Sequence, residues 1–253
     1  MKQLILSLSL IAFLLSCKKA DTTPSNTTPN TNKDTNQTSI AKYGAGVTDI
    51  DGNKYKTVII GSQEWMGENL KVSKYNDGSS IPSVIGVNQW KNLTTGAWCN
   101  LLNSDSLGTI YGKLYNWYAV KTNKLCPNGW HVPNYEEWQH LFKTLNANFE
   151  ANGDDTIVGN MLKETGTKHW DTEKFGANFG TNKSLFTALP AGIFPSDATN
   201  AVEGFNIYDT GWYTTSELIS DERVFNVGLD GHYIDMSHPK QKFLGLSVRC
   251  LKD

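Results

Sequence analysis

The clearest pattern of apolar and polar positions lies in the middle of the chain, between Asn134 and Leu145. Its apolar positions follow the i, i+3, i+4, i+7 spacing of one helical face, and they are Trp138, Leu141, Phe142 and Leu145. Asn134 is followed three residues later by Glu137, which is the pattern of a capping box. The stretch therefore predicts an amphipathic helix that begins at Asn134.

A second helix is predicted soon afterwards. Asp154 or Asp155 can cap it, and Gly166 is placed to end it. A third and shorter helix is predicted within Tyr111–Val120, because apolar side chains have helical spacing there.

Strand patterns dominate the start of the domain. Asp51-Gly52 is a strong hairpin signal between the apolar runs Val47–Ile50 and Tyr55–Ile60. A second turn at Gly61–Gln63 leads into Glu64–Met66. We expect a small antiparallel meander.

Two further regions complete this outline. Residues 84–109 show no regular period and are interpreted as a long loop packed by its own aromatic side chains. Three short strands are predicted near the end of the chain, at Val224–Leu229, His232–Met236 and Leu246–Leu251.

The N-terminus has the pattern of a secretion signal. A short positive segment precedes the apolar run Leu4–Leu15, which is too short to span a bilayer, and a small residue then precedes Cys17. This resembles a bacterial lipobox, which implies cleavage after residue 16 and acylation of Cys17. The alternative is an ordinary signal peptide with a chance cysteine.

The segment that follows is built from polar residues. Asp21–Ser39 contains no apolar side chain, so we expect residues 17–45 to form a disordered tether that carries the acylated cysteine. The folded domain is then expected at residues 46–253.

Composition narrows the class of partner. The chain has 253 residues, 39% hydrophobic content and a net charge of −2, which fits a domain that can bury a core. A nucleic-acid partner is not expected, because no basic excess or stripe is visible.

Catalytic and metal-binding patterns are sparse. The five histidines have no His-x-x-x-His spacing, and there is no Gly-x-Ser-x-Gly or phosphate-binding loop. The acidic pairs Glu136-Glu137 and Asp154-Asp155 stand at predicted helix starts, where capping explains them. We therefore assign no catalytic residue.

Aromatic residues are abundant, with eight tryptophans. Most are expected to fill the core of a domain with little regular secondary structure. Trp90, Trp98 and Trp170 lie in predicted loops, so we predict that these three form an exposed platform for a ligand such as a glycan.

Six motifs in order resemble the Fibrobacter succinogenes major paralogous domain across about residues 46–253. They are Val58–Met66 with Glu68-Asn69-Leu70, Tyr111-Gly112 with Tyr115–Tyr118, Cys126–Pro133 with Glu137-Trp138, Phe186–Pro190, Gly211-Trp212 with Thr215–Glu217, and Ser247–Cys250.

This resemblance implies a fold and a location. The family is similar to the superfamily of C-type-lectin-like domains and formylglycine-generating enzymes. That similarity implies an irregular α+β domain with two main helices, small antiparallel sheets and long ordered loops. The family occurs largely in secreted or lipid-anchored bacterial surface proteins, and its biochemical role is not established.

The resemblance also bears on the cysteines. Three remain after lipidation, so one stays unpaired. C-type-lectin-like folds often tie an early turn to the last strand, which implies a disulfide between Cys126 and Cys250. Cys99 is then free, either as a reactive thiol or, as we favour, as a buried small apolar residue. The related enzymes hold copper with a nearby cysteine pair, and this chain has no such pair.

Calcium is a weaker expectation. Some C-type lectins hold sugar hydroxyls through calcium, and Glu217, Asn226 and Asp230 are the candidate ligands here. The lectins' Glu-Pro-Asn type motif is absent, so we expect no cofactor.

The leading hypothesis is an outer-membrane lipoprotein, exposed at the cell surface, whose single domain binds a glycan or a surface protein without catalysis. An enzyme related to the formylglycine-generating proteins and a structural component of a surface assembly are the alternatives.

Overall fold

The computed structural model describes residues 39–151, 155–170, 180–196, 203, 205, 210–217, 223–230, 233–238 and 240–253, without the side chains of 213–217 and 230. These residues belong to a compact unit that spans Thr38–Asp253. The predicted signal peptide, Cys17 and most of the predicted tether lie outside the described residues. Within the described part, every helix is too short or too polar to cross a membrane.

The domain begins with a meander of short strands. They are β1 (Ala41–Tyr43), β2 (Val47–Thr48), β3 (Lys54–Tyr55), β4 (Thr57–Ile60) and β5 (Gln63–Met66). β2 pairs with β3 across the Asp51-Gly52 turn, and β4 pairs with β5, as predicted. β1 pairs with β4, so ordered structure starts before residue 46 and the predicted tether boundary was too late.

The next region contains short elements where a long loop was predicted. They are α1 (Val87–Lys91), β6 (Trp98–Asn100), a 3-10 turn (Leu101–Asn103), α2 (Asp105–Tyr111), β7 (Lys113–Tyr115) and α3 (Trp117–Val120). The side chains of Ser104 and Asn116 cap α2 and α3. These helices are too short for an apolar period to be read. The short helix predicted within Tyr111–Val120 is present as α3, but the strand β7 that precedes it was not predicted.

The two predicted main helices are present. After β8 (Trp130–His131) come α4 (Tyr135–Leu145) and α5 (Thr156–Leu162). α4 has the capping box of Asn134 and Glu137, and Asp155 caps α5. α5 ends before Gly166, because Lys163 is extended and forms a bridge with Ala188.

The last part of the chain is mainly strand. It contains β9 (Thr210–Glu217), β10 (Arg223–Asp230), β11 (Tyr233–Asp235), β12 (Lys240–Gln241) and β13 (Leu251–Lys252). β9 was not predicted. The third predicted strand shrinks to β13, because Leu246 and Ser247 make isolated bridges instead of a ladder.

These strands form small antiparallel sheets. The largest has the order β1-β4-β5-β13-β8, and a second has β10 paired with β9, β11 and β12. Aromatic rings fill the core beside α4, where the centroids of Trp65 and Trp138 are 4.6 Å apart. The described residues therefore form a mixed α/β domain with five α-helices and several small antiparallel sheets.

Candidate functional site

Residues of five of the six motifs meet in a buried polar cluster, which we call the Asn69 cluster. Its members are Asn69, Tyr111, Phe186, Trp212, Ser247 and Arg249. Oδ1 of Asn69 accepts from Trp212 Nε1 at 2.9 Å and from Arg249 Nη2 at 3.0 Å. Nδ2 of Asn69 donates to the carbonyl oxygen of Tyr111 at 2.9 Å and to Ser247 Oγ at 3.3 Å. One amide side chain thus joins segments that are far apart in sequence.

Arg249 is the charged member of this cluster and is 1% exposed. Its guanidinium also donates to the carbonyl oxygen of Phe186, and it lies 4.0 Å from the Phe186 ring centroid and 5.7 Å from that of Trp212. Burial lowers the pKa of Arg249 to about 9, so the group remains charged at neutral pH. Amide and carbonyl oxygens and aromatic faces surround this charge.

The remaining motif reaches the cluster through a disulfide. Cys126 bonds to Cys250, the neighbour of Arg249, across a sequence separation of 124. This is the pairing that the family resemblance implied. Each of the six motifs therefore contributes to the buried interior or is tied to it by the disulfide, which accounts for a structural role.

The predicted tryptophan platform is wrong. Trp90 and Trp170 are 0% and 6% exposed. Trp90 Nε1 donates to the carbonyl oxygen of Phe243, and Trp170 Nε1 donates to that of Ala188 at 3.0 Å. The irregular segments build the core from their own large side chains, so a loop position does not mean exposure.

Trp98 is half-buried and also unsuited to a platform. Its Nε1 donates to the carbonyl oxygen of Ile81 at 2.9 Å. The Nζ atom of Lys113 lies 4.3 Å from its ring centroid and covers a face of the indole.

Cys99 is a free, buried thiol. It lies in a cluster of apolar side chains, and burial raises the pKa of this thiol well above its ordinary value. A thiol that stays protonated is a poor nucleophile. The expected role as a small buried apolar residue agrees with this environment.

The calcium candidates do not converge. Glu217 pairs with Val224, six positions before Asp230 along β10. At about 3.3 Å per residue, Glu217 and Asp230 lie roughly 20 Å apart, and their side chains are outside the description. Asn226 lies between them and is buried. Across the described residues, no group of three or more acidic, histidine or cysteine side chains is arranged to hold a metal ion.

One histidine joins three elements at the surface. His131 Nδ1 lies 2.6 Å from Asp253 Oδ1, and its Nε2 lies 3.0 Å from Glu137 Oε1. Partial burial lowers the pKa of His131, but the hydrogen bonds to Asp253 and Glu137 outweigh it, and the net pKa is raised. Glu137 also accepts the Asn134 N–H of the capping box, so these groups are engaged in structure.

A second histidine is enclosed near Tyr111. His169 Nδ1 lies 2.7 Å from Glu164 Oε1, and both side chains are mostly buried. The rings of Tyr111 and His169 meet edge to face with centroids 5.6 Å apart. The histidine and the glutamate partner one another inside the domain.

Among the described residues, a candidate binding site is a cleft at the start of the domain, here called the Tyr43 cleft. Its volume is about 570 Å³, within the range of small-ligand sites. Its lining residues are Tyr43, Gly44, Ala45, Gly46, Lys54, Tyr55, Lys56, Thr57 and Glu68. Tyr43 is 62% exposed, which makes it the most exposed of the large hydrophobic residues described.

Backbone contacts give the cleft a defined shape. Tyr43 pairs with Val58 in the main sheet, and the loop that follows is held by Thr57. The Gly44 N–H donates to the Thr57 carbonyl oxygen, and the Gly46 N–H donates to Thr57 Oγ1, both at 2.9 Å. The Gly67 N–H donates to the Lys56 carbonyl oxygen at 2.8 Å and brings Glu68 alongside.

Tyr55 supplies a fixed surface within the cleft. Its hydroxyl donates to Asp49 Oδ2 at 2.6 Å and accepts the Lys71 N–H at 2.9 Å. Burial and the bond to Asp49 raise the pKa of Tyr55 well above its ordinary value. Its neighbours Lys54 and Lys56 are exposed on either side.

Sequence reasoning missed this cleft. Tyr43 was assigned to the tether, because β1 is short and follows directly after the polar tract, so it shows no strand pattern. The alternation of Lys54, Tyr55 and Lys56 was a usable signal, since a buried tyrosine between exposed lysines is typical of a strand with one solvent face. No local sequence pattern predicts that the loop after Tyr43 closes the cleft.

Comparison with known families identifies the family of this chain. The model of the Fibrobacter succinogenes major domain matches residues 58–252. The chain belongs to this family. Comparison with curated proteins and with solved structures gives no match. The family match contains Glu68, whereas the other residues that line the Tyr43 cleft precede it.

Proposed function

We propose that this protein is a lipid-anchored binding module at the bacterial cell surface, in the outer membrane, with a C-type-lectin-like domain that contacts a glycan or a surface protein without catalysis. The observation that carries the binding role is the Tyr43 cleft, which combines a suitable volume with an exposed aromatic ring. The leader that ends at Cys17 supports the anchor.

Two observations favour binding over catalysis. Cys99, the cysteine that a related enzyme would use, is buried with a raised pKa. The His131 and His169 side chains are engaged by carboxylates that belong to the fold. Neither arrangement offers an accessible nucleophile beside a free base.

The anchor is tested by mass spectrometry of the full-length protein from membranes. We expect a mature N-terminus at Cys17 that carries acyl chains, and we expect Cys17→Ser to release the protein from the membrane fraction. An unmodified Cys17 in the membrane fraction would overturn the anchor and leave the binding role to its own test.

The binding role is tested with a glycan array and a screen of surface proteins, using the full-length protein purified in detergent. We expect Tyr43→Ala to abolish binding, because it removes the exposed ring of the cleft. Tyr233→Ala is the matched control, since Tyr233 is 41% exposed on β11 and does not line the cleft. Equal binding by both variants would exclude the Tyr43 cleft as the site.

A further inference from the structure

We propose that the Tyr43 cleft binds an anionic glycan, with Tyr43 against a sugar ring and Lys54 and Lys56 on its carboxylate or sulfate groups. This inference rests on the proposed binding function and adds the charge and chemical class of the ligand. It follows from the balance of charged groups at the cleft.

The positive charges at the cleft are available. Lys54 and Lys56 are exposed and line the cleft on either side of Tyr55. Among the described residues neither lysine has an ion-pair partner. Two ammonium groups that line the same cleft attract an anion more strongly than either one does.

The nearest carboxylates already have partners. Glu68 lines the cleft and pairs with Lys71 at 2.8 Å. Glu64 lies behind the loop at Gly44 and pairs with Lys252 at 2.8 Å. The Lys252 contact lowers the pKa of Glu64, and the Thr57 hydroxyl adds to that effect. Neither carboxylate is left to neutralise Lys54 and Lys56.

The two aspartates of the neighbouring turn are also engaged. Asp49 is buried and accepts from the side chains of Asn53 at 2.8 Å and Tyr55 at 2.6 Å. Asp51 accepts from the Ser73 hydroxyl at 2.7 Å and lies 3.4 Å from Lys74 Nζ. The partners of Asp49 are neutral and do not offset its charge, so the charges of Lys54 and Lys56 exceed the remaining negative charge near the cleft by one.

A glycan fits this surface better than an acidic peptide. The exposed ring of Tyr43 offers an apolar face that can pack against the C–H face of a sugar ring. The lysines then meet acidic substituents on the same or the next sugar. A peptide rich in carboxylates would use the lysines but would leave the aromatic face without a partner.

The test measures binding of the full-length protein to four defined polymers by affinity electrophoresis. Dextran and dextran sulfate differ only in charge, polygalacturonate carries carboxylates, and poly-glutamate is the acidic peptide. We expect retardation by dextran sulfate or polygalacturonate and little by dextran. The two charged glycans distinguish sulfate from carboxylate recognition.

Lysine variants link the charge preference to the cleft. Lys54→Gln combined with Lys56→Gln should weaken binding to the charged glycan about five- to tenfold, since exposed charge contacts contribute modestly. Lys143→Gln with Lys183→Gln is the matched control, because both lysines are exposed, lie outside the cleft and give the same change in charge. The control should bind as the unmodified protein does.

Each of the remaining outcomes would overturn one of the two proposals or both. Equal binding of dextran and dextran sulfate, with loss in Tyr43→Ala, would overturn the anionic ligand and keep the binding function. Equal weakening by both lysine pairs would show attraction to net charge and would overturn the site. Preference for poly-glutamate would overturn the glycan, and no binding to any polymer together with negative screens would overturn both proposals.

Discussion

The Asn69 cluster and the Tyr43 cleft use polar side chains in opposite ways. In the cluster, buried polar groups bond one another, and an amide, carbonyl groups and aromatic faces hold the charge of Arg249. In the cleft, Lys54 and Lys56 face solvent. Because the polar groups of the Asn69 cluster bond one another, the cluster stabilises the fold. The lysines of the Tyr43 cleft face solvent and can bind a ligand.

The family match follows the same division. It covers the whole of the Asn69 cluster but, among the cleft residues, only Glu68. The family match therefore includes the cluster but leaves out most of the cleft. We expect substitutions in the interior to change stability and substitutions in the cleft to change binding.

Loss of the disulfide should have the largest effect on stability. Replacing Cys126 and Cys250 by serine should lower the free energy of unfolding by about 4 to 5 kcal/mol, because the bond closes a long loop in the unfolded chain. Urea unfolding followed by tryptophan fluorescence measures this. Cys99→Ala, which removes a buried thiol outside any disulfide, should cost about 1 to 2 kcal/mol. Equal losses would mean that the disulfide adds nothing beyond its packing.

Asn69→Ala should break the polar cluster itself. The change removes the acceptor of Trp212 Nε1 and of Arg249 Nε and Nη2, so we expect a loss of about 3 to 4 kcal/mol in unfolding free energy. The control is Asn128→Ala, since Asn128 is exposed in a turn, and its effect should stay below about 0.5 kcal/mol. A loss below about 1 kcal/mol at Asn69 would contradict a structural role for the cluster.

Gly44→Ala tests the wall of the cleft with a smaller expected effect. A Cβ at Gly44 would collide with Thr57 Oγ1 and Glu64 Oε1, so the loop must move at a cost of about 1 to 3 kcal/mol. At Gly86 an added Cβ meets Gln89 Cβ at an ordinary 3.7 Å. Gly86 is the N-cap of α1, where glycine is preferred to alanine, so Gly86→Ala should cost about 0.5 kcal/mol by thermal unfolding. Similar melting temperatures for both variants would refute this packing.

His131 is half-buried at the surface, and its substitution should have the smallest effect on stability. Its folded-state pKa is raised, so its stabilisation is fully present below the unfolded pKa of about 6.5 and is lost as pH rises through the folded pKa. His131→Gln should destabilise at pH 6 by less than about 1 kcal/mol, because solvent screens the contacts, and should be neutral at pH 9.

The measurement for His131 is the difference in unfolding free energy from the unmodified protein at the two pH values. His140→Gln is the control, since His140 is exposed and contacts the hydroxyl of Ser62 at 3.2 Å. A difference for His131→Gln that is the same at pH 6 and pH 9 would show that its carboxylate contacts do not depend on its charge.

Local patterns were sufficient for the elements that carry their own signals. The capping box at Asn134 and the apolar face of α4 identified that helix, and Asp51-Gly52 identified the first hairpin. Capping and turn formation depend on residues a few positions apart, so they can be read along the chain. The disulfide came from the family resemblance.

Tertiary structure decided which side chains are exposed. Trp90 and Trp170 lie outside long regular elements yet are buried, while Tyr43, next to the polar tract, is exposed in a cleft. Burial depends on which distant segments pack together. In a domain of short strands and long connections, no local period records that packing.

The sequence by itself determined the main helices, the first hairpin and the family. The Asn69 cluster exists only in the folded chain, because no short-range pattern connects its segments, and the Tyr43 cleft also needs Glu68 and the loop after β1 to pack beside the first hairpin. The physical reason is that hydrogen bonds and charge balance depend on distance in space, and folding brings Asn69 beside Arg249 across most of the chain.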